Sequence, residues 1–338
     1  MGKGQSWNRN MSDAELEKLP KSRRLTQGLA PWASWESERT GFGRLFRRRA
    51  LYPPFLPLMF ASDHYVYPLV SKRNNEVSHD SAFYGTWNEA KHRMLENEGI
   101  KALYIKHPWL DLRERNFKHL VRGSGTLVFW PHGHERLAPE MKWDCFRNAI
   151  EDLPSRYHPV SICLSSYEIQ RGEHRNLRKL GYPLTTAGDL MNQRVPQRFY
   201  RMIQMFAYTA GPHSSTHVYL SLEAGFPFLL FGRECFEYRQ RMPDGSLGDR
   251  YDATLSDFPD PSDHKVELAF LERLEEQMVD VPQELMIHSR RQMGCDSPVT
   301  RRQFSGAVWR ALWTERQKAL RLYANSVVMY SKRTVDRH

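Results

Sequence analysis

Between residues 125 and 232, short apolar runs alternate with longer stretches in which apolar residues recur at helical spacing. Runs such as TLVFW and FPFLLFG are continuously hydrophobic, which is typical of strands in a sheet covered on both faces. The predicted strands span 126–130, 159–166, 182–188, 209–213 and 226–232. The predicted helices span 139–153, 169–181, 195–208 and 214–225. This strict alternation predicts an α/β fold built on a parallel, doubly wound sheet.

The rest of the pattern divides the chain into four parts. Residues 1–40 are polar and predict an irregular N-terminal arm. Weaker alternation, with strand candidates at 55–62, 81–87 and 100–107, predicts an N-terminal α/β domain over 41–120. Residues 121–265, which contain the predicted doubly wound sheet, are predicted to form a second α/β domain, and its last segment, 233–265, is rich in Asp, Pro and Gly, which predicts a long surface excursion. Helical segments near 266–280 and 301–325 make up the fourth part, 266–338.

The composition changes this picture little. The chain has 338 residues, of which 40% are hydrophobic and 26% charged, as in globular proteins of one or two domains. Its longest apolar stretch, 52–61, contains three prolines and is too short to cross a bilayer. These features argue against disordered and membrane-spanning proteins and predict a cytoplasmic location.

The charge balance favours anionic partners. The formal net charge of +10 attracts nucleic acid, anionic lipid or phosphorylated small molecules. Arg44, Arg47, Arg48 and Arg49 directly precede the apolar stretch, which predicts a peripheral contact with the anionic inner face of the cell membrane. A basic nucleic-acid-binding protein is the less favoured alternative, because the aromatic residues follow core spacing rather than an exposed stacking pattern.

The cysteine pattern bears on the compartment. Cys145, Cys163, Cys235 and Cys295 are widely spaced and form no CxxC pair. The sequence therefore predicts neither a structural zinc site nor a disulfide framework, and it predicts a reducing compartment.

Candidate functional residues follow the predicted strands. In an open parallel sheet, ligands bind beyond the carboxyl ends of the strands, where helix N-termini present free N–H groups. The residues at these ends are His132, Gly133, His134 and Glu135; Ser165, Ser166 and Tyr167; Gly188 and Asp189; His213, Ser214, Ser215 and Thr216; and Gly232, Arg233 and Glu234, with Glu223 two to three turns further along its helix. This polar, small and basic set suits a phosphorylated ligand. The alternative for the serines is ordinary N-capping.

The pair His132 and His134 also raises the question of a metal site. A third ligand at suitable spacing is missing from the sequence, so we predict no metal at this position.

Three motifs together resemble a known family. They are 62-SDH-64, then 131-PHGH-134 after a strand, and then 214-SST-216 followed by 223-EAGFP-227. In this order they resemble bacterial capsule and lipopolysaccharide glycosyltransferases of the GT-B type, related to the sialyl- and Kdo-transferases, over residues 50–232. The resemblance implies two Rossmann-like domains that face a cleft, with C-terminal helices that pack back on the first, acceptor-side domain.

The resemblance also implies roles for individual residues. Asp63 matches the general base, for which His64, Glu135 and Asp189 are competitors. His132 matches the histidine at the donor phosphate, and Ser214 and Ser215 match the phosphate-binding hydroxyls. The first motif reads Ser-Asp-His rather than two acids and a glycine, and the second reads Pro-His-Gly rather than His-Pro. The nucleotide of the donor, CMP, UDP or GDP, therefore stays open.

The predicted function is transfer of a sugar from a nucleotide-sugar to a surface-polysaccharide or lipid-linked glycan acceptor, with no further cofactor. A nucleotide-sugar epimerase or a polyol-phosphate transferase of the same fold is the alternative. The other His-Pro pair, at His107, is interpreted as structural or cleft-lining.

Overall fold

A computed structural model describes residues 9–19, 60–62, 83–133, 137–188, 194–242, 246–250 and 261–314. The chain divides into two compact units. The first unit contains Met1–Arg24 and Leu112–Ser289, and the second contains Leu25–Asp111 and Arg290–His338.

Helices and strands follow one another along the described part of the chain. Up to residue 163 they are α1 (Asp13–Lys18), β1 (Phe60–Ser62), β2 (Phe83–Thr86), α2 (Glu89–Asn97), β3 (Ala102–Tyr104), α3 (Pro108–Asn116), β4 (Thr126–Phe129), β5 (Leu137–Met141), α4 (Trp143–Glu151) and β6 (Val160–Cys163). They continue with α5 (Ser166–Gln170), α6 (Glu173–Lys179), β7 (Leu184–Thr185), α7 (Val195–Ile203), β8 (Tyr208–Gly211), α8 (Thr216–Glu223), β9 (Phe228–Leu230), β10 (Phe236–Arg241), β11 (Leu247–Arg250), α9 (Pro261–Leu274), α10 (Gln283–Gln292) and α11 (Arg301–Thr314).

A five-stranded parallel sheet with flanking helices forms the centre of the first unit. Its strand order is β7-β6-β4-β8-β9. All residues of β4, β6 and β9 are buried, as continuous apolar runs predict for a sheet covered on both faces. The predicted α/β class with a parallel sheet is therefore confirmed. From β4 the chain first builds β6 and β7 on one side and then β8 and β9 on the other, so the order reverses between β4 and β8.

A second sheet corrects two predictions. The segment 139–153 was expected to be one helix, but it begins within β5, and only α4 is helical. The segment 233–265 was expected to be a surface excursion, yet it contains β10 and β11, and the three strands form an antiparallel sheet in the order β11-β10-β5. The error has a physical reason, because β10 pairs with a strand about a hundred residues earlier in the chain, and no local periodicity reports such pairing.

Another predicted helix, 169–181, is divided into α5 and α6. Gly172 lies between the two helices with φ of 81°, in the left-handed region that glycine adopts without strain. The chain therefore changes direction at this glycine.

The structure also contains a disulfide bond that the sequence interpretation excluded. Cys145 in α4 and Cys235, directly before β10, are bonded, with their Cα atoms 5.4 Å apart. Antiparallel pairing of β5 with β10 brings these cysteines together, although 90 residues separate them in sequence. The prediction that the chain has no disulfide framework was wrong for this pair, whereas Cys163 and Cys295 are free thiols.

Part of the predicted N-terminal arm belongs to the first unit. Ser12 and Glu15 form a capping box at the start of α1, and Leu16 is fully buried in the main hydrophobic core. The Met11 N–H donates a hydrogen bond of 2.7 Å to the carbonyl of Leu184 in β7. Residues 9–19 are therefore a docked segment, not an irregular arm.

The second unit has a parallel sheet in the order β1-β2-β3. Asn88 caps α2 by accepting a hydrogen bond from the Lys91 N–H, and Gly99 follows the helix with φ of 75°. His107 is fully buried, its Nδ1 accepts a hydrogen bond from the Trp109 N–H, and its ring lies edge-on to Trp87. His107 thus packs in the interior of this unit. None of the helices within the described ranges is long and apolar enough to cross a membrane.

Candidate functional site

The candidate site lies at the carboxyl edge of the five-stranded sheet, where β4 and β8 are neighbours. Residues 131–133 follow β4, and residues 212–215 follow β8. The rings of His132 and His213 lie 5.9 Å apart between centroids. Two segments that are 81 positions apart in the sequence therefore meet at the point where the strand order reverses, which is where open α/β sheets bind ligands.

The ring nitrogens of His213 are enclosed at this edge, although the residue as a whole is partly exposed. Both of its ring nitrogens are shielded from solvent and have no hydrogen-bond partner among the described residues. Burial, and secondarily the nearby His132, lowers the pKa of His213 to about 3. The ring is therefore neutral at physiological pH, with one N–H to donate and one nitrogen to accept.

The first residues of α8 lie beside His213. Ser215 is the N-cap residue and is 7% exposed, but its hydroxyl is hydrogen bonded to Nδ1 of His217 instead of capping the helix. The helix N-terminus carries a partial positive charge and amides that bind anions. Because the Ser215 hydroxyl is bonded to His217, the alternative interpretation of the serines as side-chain caps does not apply to Ser215.

His217 belongs to the same cluster, and the sequence interpretation missed it. Its ring stacks on Phe129 at 4.3 Å and lies 5.3 Å from the ring of His213. Burial lowers the pKa of His217 well below its ordinary value, and His213 and His132 add to this effect. The sequence did contain a signal for His217, because it lies four residues after His213 in the first turn of a predicted helix, close to the predicted end of the strand.

The lowered pKa values of His213 and His217 predict that the folded protein loses stability as the pH falls. Because the folded protein holds His213 at a pKa of about 3, below its ordinary 6.5, the unfolded chain binds more protons between these values. The stability that neutral His213 contributes is complete above pH 6.5 and is lost as the pH falls toward 3. The free energy of unfolding should decrease by up to about 1.4 kcal/mol per pH unit for each such histidine.

Urea unfolding at pH 7.5, 6.5, 5.8 and 5.2 tests this pH dependence. We expect His213→Asn to have a shallower slope than the wild type, and His119→Asn, at an exposed position, to keep the wild-type slope. Equal slopes for the wild type and His213→Asn would contradict the prediction.

A pocket of about 280 Å³ opens next to His213 and Ser214. Leu230, Phe236 and Leu271 supply apolar surface, and Tyr238, Arg233, Glu237 and Arg250 supply polar groups. The guanidinium of Arg233 lies 2.7 Å from Glu275, and that of Arg250 lies 4.0 Å from Glu237. The pocket therefore has apolar surface and a charged rim of both signs.

The turn after β4 is held by its neighbours. The Gly133 N–H donates a hydrogen bond of 2.8 Å to Oε1 of Glu168, and the Tyr238 hydroxyl donates one of 3.3 Å to the carbonyl of His132. Glu168 was not among the predicted site residues. The spacing Ser165-x-x-Glu168 after a strand, which is typical of a capping box, was a signal that would have found it.

Two predicted donor-binding residues lie farther from this cluster. Gly188 follows β7, two strands away from β4, and its N–H donates a hydrogen bond to Oγ1 of Thr186 at 2.9 Å. Glu223 is the last residue of α8, so about 10 Å of helix separates it from Thr216. Its fully buried carboxylate lies 3.2 Å from Nε of Arg113. This placement favours a packing role for Glu223.

Several predicted residues lie outside the described part of the chain. They are Asp63, His64, His134, Glu135, Asp189 and the four arginines of the proposed membrane contact, Arg44, Arg47, Arg48 and Arg49.

The chain was compared with protein-family models, with curated proteins and with solved structures, and none of the three comparisons gave a match.

Proposed function

We propose that the first unit binds a nucleotide-sugar between the ends of β4 and β8, and that the protein transfers the sugar to a glycan or lipid-linked acceptor. The observation that carries this proposal is the meeting of His132, His213 and the start of α8 at the strand-order reversal. The motif resemblance to GT-B glycosyltransferases supports the choice of reaction.

In this proposal the phosphate of the donor lies at the N-terminus of α8. The amides of the first turn donate hydrogen bonds to the phosphate oxygens, and the neutral His213 does so after its neighbours move to open a path to its shielded ring nitrogens. As the bond to the sugar breaks, negative charge grows on these oxygens, and donors already in place stabilise it. A neutral histidine binds the departing phosphate less tightly than an imidazolium would, which helps product release.

The adjacent pocket accommodates the nucleoside. Its volume of about 280 Å³ lies near the lower end of small-molecule sites, and its apolar surface at Leu230 and Phe236 suits the flat face of a base. Arg233 and Arg250 at the rim offer donors to the polar edge of the base or to the ribose.

The acceptor hydroxyl must lose its proton during transfer, and a carboxylate or histidine is the suitable base. Asp63, with His64 beside it, keeps this role on the motif resemblance alone. The proposed place of action is the inner face of the cell membrane, to which Arg44 and Arg47–Arg49 would attach the protein by their charge.

Isothermal titration calorimetry with CMP, UDP, GDP and their sugar conjugates tests the binding site. We expect at least one of these nucleotides to bind the wild type, and His213→Ala and Ser214→Ala to weaken binding by about tenfold or more, since each removes a hydrogen bond to a charged phosphate. His119→Ala, at an exposed position, serves as the control and should bind like the wild type. The proposal fails if no nucleotide binds, or if both variants bind as tightly as the wild type.

A second measurement separates transfer from epimerisation. The nucleotide-sugar that binds is incubated with and without a lipid-linked glycan acceptor, and the products are separated by chromatography. A transferase releases free nucleotide in an acceptor-dependent manner, whereas an epimerase changes the sugar and leaves it attached to the nucleotide.

A further inference from the structure

Glu168 is a buried acidic residue that the proposed mechanism does not use. It is 2% exposed and lies on α5, which follows β6, the neighbour of β4. A buried carboxylate is costly unless hydrogen bonds satisfy its oxygens. Oε1 accepts the Gly133 N–H at 2.8 Å, and Oε2 accepts the hydroxyl of Ser165. Burial raises the pKa of Glu168, and the two donors oppose this shift.

The two hydrogen bonds connect different strand ends. Ser165 is local to α5, where its hydroxyl oxygen accepts the Tyr167 N–H at 3.2 Å. Gly133 lies 35 residues away, in the turn after β4. Tyr238, in β10, donates a further hydrogen bond to this turn, at the carbonyl of His132. Two different elements therefore hold the backbone around His132, while its ring remains partly exposed next to His213.

We propose that Glu168 is a positioning residue, whose carboxylate holds the 131–133 turn so that the His132 ring meets a ligand bound at the start of α8. The inference rests on the proposed function for the identity of the ligand. A purely structural role, in which Glu168 only stabilises the start of α5, would act through Ser165 instead of Gly133.

Four variants separate these roles. Glu168→Met keeps the bulk of the side chain but leaves the Gly133 N–H without its acceptor. Glu168→Gln preserves both contacts, because its amide oxygen accepts from Gly133 and its amide nitrogen donates to Ser165. Ser165→Ala removes only the α5 contact. Glu168→Asp keeps the charge but is one methylene too short to reach both partners, and it replaces Glu168→Met should that variant not fold.

The first readout needs no ligand. The ring signal of His132 is recorded in a proton–carbon correlation spectrum and identified by its absence in His132→Asn. We expect Glu168→Met to shift or broaden this signal, and Glu168→Gln and Ser165→Ala to leave it in place. Thermal unfolding of each variant is recorded in parallel, and we expect Ser165→Ala to lower Tm by a few degrees, since it loses the contact with α5.

The second readout is the affinity for whichever of CMP, UDP or GDP binds the wild type. Glu168→Met should weaken this affinity by about tenfold, and Glu168→Gln and Ser165→Ala by less than about threefold. The inference is overturned if Glu168→Met leaves the His132 signal unchanged, or if Ser165→Ala changes signal and affinity as much as Glu168→Met does. If no nucleotide binds the wild type, the proposed function fails, and the His132 signal alone decides the role of Glu168.

Discussion

Replacing Arg113 with methionine is expected to lower the free energy of unfolding by about 3–5 kcal/mol, because it removes the positive charge that lies against a buried carboxylate. The Glu223 carboxylate is fully buried, and Nε of Arg113 lies 3.2 Å from its Oε2. A second nitrogen of Arg113 donates to the backbone carbonyl of Glu223 at 3.3 Å. Urea unfolding monitored by circular dichroism measures the loss.

Two further variants show whether the effect comes from the buried charge. Arg147→Met removes an exposed arginine whose guanidinium lies 3.2 Å from Asp144, and it should cost less than about 1 kcal/mol. The double variant Arg113→Met with Glu223→Leu replaces the whole pair by apolar groups and should recover most of the stability. The interpretation is wrong if Arg113→Met costs no more than Arg147→Met.

Removal of the disulfide bond is the second change with a large expected effect. Cys145→Ser should lower the free energy of unfolding by about 2–5 kcal/mol under non-reducing conditions, because the bond closes a long loop and restricts the unfolded chain. The bonded cysteines are 90 positions apart. The same urea titration with and without dithiothreitol measures the difference, which should largely disappear in reductant.

Alkylation provides an independent count of the thiols. The denatured wild type should take up two alkyl groups without reductant, on Cys163 and Cys295, and four after reduction. Cys295→Ser is the control for the stability measurement, because it keeps the bond between Cys145 and Cys235. Dithiothreitol should therefore lower its free energy of unfolding by the same amount as that of the wild type. Uptake of four groups without reductant would show that Cys145 and Cys235 are not bonded.

The sequence predicted the five-stranded parallel sheet because its strands are short local runs separated by four local helical patterns. It did not predict β10 and β11, since their stabilisation comes from pairing with β5 and not from any pattern of their own. Pro139 illustrates the difficulty, because it lies in the middle of β5, opposite Tyr238, where a proline is unusual.

The candidate site was partly predictable for a similar reason. The rule that parallel strands end at one edge placed His132 next to His213 without knowledge of any contact. Glu168 and His217 could not be placed at the site by this rule. Glu168 reaches it through a hydrogen bond to Gly133, which is distant in sequence, and His217 through stacking on Phe129. Glu223, which the motif groups with the site, is paired with Arg113 at the other end of the helix.

The docked N-terminal segment has a consequence for how the protein behaves in solution. Among the described strands, β7 is the last on its side of the sheet, and the backbone of Met11 and the side chain of Asn10 occupy the hydrogen-bonding groups of Leu184. An unprotected outer strand is a template on which another chain can add its own strand. A protein that lacks this N-terminal segment would expose the edge of β7 together with the apolar surface that Leu16 covers. Such a protein should self-associate before any loss of ligand binding is seen.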